Sequence, residues 1–90
     1  MKRKRRKLIF DQAGLDAFAA RLKQIRLAAG LTQSQLAFEA GISLSQVARI
    51  ETARINPTLS TVFSIARALD THLSDLFDFT LPDKKTEKIF

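Results

Sequence analysis

The fold is decided by Thr32 to Ala53, TQSQLAFEAGISLSQVARIETA. The stretch reads as two short helices joined by a tight turn. Thr32 can cap the first, because its hydroxyl can accept one of the unpaired N–H groups at a helix start. Leu36, Ala37 and Ala40 follow as an apolar stripe of helical period. Gly41 stands where that helix should stop and the backbone wants a positive φ, which glycine adopts without strain. Ile42 is expected to turn back into the core. Ser43 can cap a second helix, with Val47 and Ile50 facing inward. That leaves Leu44, Ser45, Gln46 and Arg49 outward.

Two helices that cross steeply over a short turn need a small residue where they touch and a flexible one in the turn. Ala37 and Gly41 meet those needs. This is the pattern of a helix-turn-helix, whose second helix lies in the major groove of DNA. Two caps alone would fit any packed helical hairpin. The small residue, the glycine four positions on and the inward Val47 and Ile50 are what make the pattern specific.

Ninety residues, 46% of them hydrophobic, can build one small core. The chain has no cysteine, so neither a disulfide framework nor a cysteine zinc site is available. No apolar run approaches the eighteen or so residues that a membrane span needs. Leu8-Ile9-Phe10 is also too short for a signal-peptide core. The net charge of +6 is concentrated at one end. Lys2, Arg3, Lys4, Arg5, Arg6 and Lys7 supply six positives, and the other nine Lys and Arg balance nine Asp and Glu. Nucleic-acid binding by the body of the chain would therefore need a local basic face rather than a bulk positive field.

The six adjacent cations repel one another and cannot fold alone. They read either as a solvated tail or as an arm that follows phosphates or enters a minor groove. Extended, six residues reach about 20 Å. Leu8 to Leu15 reads as a link, with Gly14 opposing helix and Asp16 capping a first helix that runs to about Ala29. Phe18, Leu22 and Ile25 form its inner stripe, while Arg21, Lys23 and Gln24 read as solvated. Gly30 closes it and Leu31 packs behind. Pro57 bars helix at Asn56, so Thr58 caps a fourth helix with Leu59, Val62, Ile65, Ala66 and Leu69 inward. Leu73 to Phe77 gives a short fifth. Asp70, Asp75 and Asp78 make this end acidic, and the lone His72 reads as a solvent-facing turn residue. Phe77, Phe79, Leu81, Ile89 and Phe90 are an unusual apolar load for a tail. They read as a dimer seam, with the tail pairing as a strand across a two-fold axis, or as a frayed end.

The segment from about Phe18 to Phe77 resembles the Cro/CI-repressor-like, or XRE-type, helix-turn-helix family. RLKQIRLAAGLTQSQLA, GISLSQVARIE, NPTLSTVFSIARAL and LSDLF carry the likeness. It implies an all-α, five-helix, lambda-repressor-like DNA-binding domain at 15–78, with the motif at 32–53. A basic arm and link occupy 1–14, and a C-terminal tail with a dimer contact occupies 79–90. It implies base-reading roles for Leu44, Ser45 and Arg49, and phosphate contacts for Gln33, Ser43, Gln46, Arg54 and Asn56. It also implies a structural pair between Arg26 and Glu51 that fixes the angle of the reading helix. Leu44 departs from the polar residue common at its position, and a thymine methyl is the base-edge group that could cover it. The glycine usual after the reading helix is absent, with Ala53 near its place.

No cysteine nucleophile, phosphate-cradling glycine loop or paired histidine–carboxylate spacing appears, so neither an enzyme nor a cofactor or metal site is expected. The reading is a sequence-specific regulator in the cytoplasm, a repressor that binds double-stranded DNA as a homodimer on a palindromic operator. A restriction-modification controller is its near sibling. The alternative is an antitoxin that binds a toxin protein and represses its own promoter. No membrane and no small-molecule ligand is expected.

Overall fold

A computed structural model of the protein describes residues 9–83. Among them are five helices and no strand: α1 Gln12–Ala28, α2 Gln33–Ala40, α3 Leu44–Glu51, α4 Leu59–Ala68 and α5 Leu73–Leu76. The all-α, five-helix expectation holds. The basic residues 2–7 and the terminal Ile89 and Phe90 lie outside the described residues.

Three helix starts follow the expected chemistry. Thr32, Ser43 and Thr58 each accept a backbone N–H three residues on. Thr32 adds the reciprocal half of a capping box, its own N–H donating to Gln35 Oε1 at 2.8 Å. The start of α1 corrects the expectation. Asp11, not Asp16, is the cap, and its carboxylate accepts from the Gly14 N–H at 2.9 Å. Gly14 therefore lies inside α1. A Cβ there would stand 3.1 Å from Asp11 Oδ2 and 3.3 Å from Leu81 Cδ1, so the glycine lets the C-terminal segment pass close to the helix. Asp16 is an exposed interior residue that accepts from Gln12 Nε2.

The four longer helices end alike. A left-handed residue follows each, at Gly30, Gly41, Ala53 and Asp70. The next N–H reaches back five residues: Leu31 to Arg26 O, Ile42 to Ala37 O, Arg54 to Arg49 O and Thr71 to Ala66 O, at 2.8–3.2 Å. This closure satisfies carbonyls that a helix end leaves unpaired. Ala53 therefore keeps the glycine-like turn despite its Cβ, at φ 57°.

Every helix supplies a fully buried side chain to one core: Leu22, Leu36, Val47 with Ile50, Ile65, and Leu76. Truncating a residue such as Leu36 to alanine is expected to cost about 2–5 kcal/mol. The C-terminal segment is partly folded onto this core. Phe77 tilts against Phe18 with ring centroids 5.4 Å apart, and Phe79 packs on the core edge. Leu81 stays 64% exposed. Arg21 is not simply solvated, since its Nε donates to Asp75 O at 2.7 Å and ties α1 to α5.

Candidate nucleic-acid interface

α3 is eight residues long and buries one face through Val47 and Ile50. At 100° per residue, Ser45, Ala48 and Arg49 point away from those two, with Leu44 on one flank and Gln46 on the other. The exposures agree. Leu44, Ser45 and Arg49 are exposed, while Gln46 and Ala48 are intermediate. Ala48 is an outward residue that the sequence reading passed over. Its spacing of four from Leu44 was the available signal.

The helix is held at both ends. Ser43 Oγ accepts from Gln46 N at 3.0 Å. At the other end Arg26 meets Glu51 through two parallel bonds, Nε to Oε2 at 2.6 Å and Nη2 to Oε1 at 2.9 Å. The remaining guanidinium nitrogen donates to Leu31 O at 2.8 Å, and Gln33 Nε2 donates to Glu51 Oε1 at 2.9 Å. Both charged side chains are nearly sealed from water, at 7% and 2% exposure. The bonds to Glu51 hold the Arg26 pKa above its ordinary value, against the opposing effect of burial. The expected pair is thus present, and it joins α1, the start of α2 and the end of α3. The Gln33 side chain faces this pair. That leaves its backbone N–H, in the first turn of α2, free of any helical acceptor.

Arg54 and Asn56 are exposed in the loop after α3. Among the described residues, the guanidinium groups of Arg49 and Arg54 enter no ion pair and no hydrogen bond. Both are thus available cations beside the outward face. The start of α1 is anchored next to the same loop by a bond from Gln12 Nε2 to Ala53 O at 3.1 Å. Ile9 and Asp11 line a groove with Asn56 and Pro57. The chain therefore enters the fold beside Arg54 and Asn56, two residues after the last arm cation, Lys7.

Opposite in character is the α5 end. Asp70, Asp75 and Asp78 are exposed there, and His72 is an exposed first-turn flank of α5 without a capping bond. Among the described residues no group of three His, Cys, Asp or Glu side chains could hold a metal ion, and no helix is long and apolar enough to cross a membrane.

Comparison with known proteins agrees with this geometry. The helix-turn-helix family model HTH_3 matches residues 22–76, more than half of the chain. The chain belongs to the HTH_3 helix-turn-helix family. It is a DNA-binding transcriptional regulator of the XRE, or Cro/CI-like, type rather than an enzyme. An immunity repressor protein of Bacillus phage phi105 is 48% identical over 54 residues, which is 60% of this chain and 38% of the phage protein. The control protein C.BamHI of Bacillus amyloliquefaciens is 34% identical over 64 residues, covering 70% of this chain and 79% of that one. The crystal structure of the restriction-modification controller protein C.AhdI from Aeromonas hydrophila superposes with a TM-score of 0.69 at 38% identity. That superposition covers 70% of this HTH_3 chain and 96% of the controller.

Proposed function

We propose that this HTH_3 protein is a repressor that binds a palindromic operator as a homodimer, with α3 in the major groove. The observation that carries the reading is the exposed Ser45–Arg49 face of a helix whose far end is fixed by the buried Arg26–Glu51 pair. A rigid helix with short outward groups is what base-edge recognition requires.

In this reading Arg49 donates two parallel bonds to guanine O6 and N7, and Ser45 bonds a neighbouring base edge. Leu44 completes the base-reading set. Gln33, Ser43, Gln46, Arg54 and Asn56 meet phosphates. For Gln33 and Ser43, position at a helix start supports this, since unpaired N–H groups there suit an anionic oxygen. The arm Lys2, Arg3, Lys4, Arg5, Arg6 and Lys7 adds phosphate contacts, a role supported by where Ile9 enters the fold. Two-fold symmetry spaces the half-sites about 34 Å apart on one face of the duplex. The protein then acts on DNA in the cytoplasm. A restriction-modification controller is the second reading, favoured by the likeness to C.BamHI and C.AhdI.

Selection of bound sites from random duplexes by the full chain tests the proposal. A palindromic motif with half-sites one helical turn apart is expected. Enrichment of an asymmetric single site would overturn the dimeric operator.

A further inference from the structure

The outward side of α3 carries two parallel rows. Ser45 and Arg49 form a polar one. Leu44 and Ala48, also four apart, form an apolar one along its edge. Thr52 extends the apolar row by one more turn, and its hydroxyl is engaged by Ala48 O at 2.8 Å. Leu44 is 50% exposed at the first position of the helix and, with Ala48, gives the outward side an apolar edge directly beside its polar row.

The row sits beside groups that attract DNA. Arg49 follows Ala48 on the same helix and Arg54 lies in the loop after it, both exposed cations free of ion pairs among the described residues. In the major groove one base-edge group is apolar, the methyl on C5 of thymine. We infer that the Leu44–Ala48 row reads the C5-methyl group of a pyrimidine next to the base bonded by Ser45 or Arg49. The inference rests on the operator reading above and goes further. It makes the recognised feature the methyl itself, so that C5-methylcytosine satisfies the row as thymine does. Binding then responds to C5 methylation of the operator.

The test uses the full chain and its own selected duplex. Each half-site thymine is replaced in turn by deoxyuridine, which removes only the methyl. Each half-site cytosine is replaced in turn by C5-methylcytosine. At one position per half-site the uridine duplex should bind about fourfold more weakly, the worth of one buried carbon. A C5-methylcytosine·guanine pair placed at that step should bind better than its unmethylated form by a similar factor. Both effects should shrink towards unity in Leu44→Ala, a substitution at a half-exposed site that leaves the core intact. Uridine duplexes that bind as well as thymine ones at every position overturn the inference. So does a methyl effect that is unchanged in Leu44→Ala. A shift of Leu44→Ala to smaller assemblies with no methyl effect would mean that protein, not DNA, covers the row, and overturns it too. Failure to select any duplex would instead remove the operator reading, and this inference with it.

Discussion

Arg26 and Glu51 face each other with both guanidinium–carboxylate bonds at 2.9 Å or less, across 25 residues of sequence and almost out of reach of water. A buried ion pair seldom adds net stability, because desolvation offsets much of the attraction. Its consequence here is directional. It fixes where α3 ends relative to α1, and Gln33 fixes α2 to the same carboxylate.

Removing one partner should therefore cost far more than removing both. Arg26→Ala or Glu51→Ala leaves a buried charge alone and should destabilise by about 3–5 kcal/mol. The double replacement Arg26→Met/Glu51→Leu should recover most of that loss yet still bind DNA more weakly. Urea denaturation and operator titration of the three variants check this. Wild-type affinity in the double variant would mean that the pair does not aim the helix.

The same pair sets an expectation for pH. The Arg26 pKa is raised in the fold, so its contribution is fully present below the unfolded value and is lost only as pH rises through the higher folded one. Thermal melts from neutral to moderately alkaline pH should show no stability loss from this pair. Loss in that range that disappears in the double variant would contradict the assignment.

Two residues other than glycine sit in the left-handed region, and they should answer differently to glycine. Asp70 is exposed at φ 50°, just past the negative end of α4. Asp70→Gly relieves about 1–2 kcal/mol of backbone strain and removes a poorly placed charge, against a smaller entropic cost. A gain of about 0.5–1 kcal/mol is expected, or roughly 3–6 °C in Tm. Ala53 has φ 57° but is buried. Ala53→Gly loses a buried methyl worth about 0.8 kcal/mol, so its Tm should barely move. Calorimetry of the two variants separates these outcomes.

Arg49→Ala should cost about 1–3 kcal/mol at a single operator position and relax base preference there. Deleting Lys2 to Lys7 should weaken all duplexes alike and flatten the salt dependence by up to about five in the log–log slope, the counterions of six phosphates. Competition binding across single-base variants at several salt concentrations measures both. A changed base preference after the deletion would place the arm in a groove rather than along phosphates.

Much of this was legible because the local chemistry is explicit. Thr32, Ser43 and Thr58 announce helix starts, and Gly30 and Gly41 announce ends. The pairing of Arg26 with Glu51 came through resemblance, and its depth did not. Arg26 is more buried than its apolar neighbour Ile25, since a neutralised guanidinium can occupy the core edge. The start of α1 is misread because Gly14 suggests a break, whereas Asp11 caps its N–H and the Leu81 side chain lies 3.3 Å from where a Cβ would stand. The closures at Ala53 and Asp70 carry no residue signal, because the fold imposes a conformation that neither residue prefers. The role of Arg21 depends on where α5 lies, which no local pattern encodes.

In the proposed complex the outward face of α3 meets base edges. NMR titration of the isotope-labelled full chain with its selected duplex reads this contact residue by residue. Intermolecular contacts from Ser45 and Arg49 to base protons are expected, with the exposed acids Asp70, Asp75 and Asp78 unperturbed. Contacts at the α5 end, with Ser45 and Arg49 silent, would contradict it.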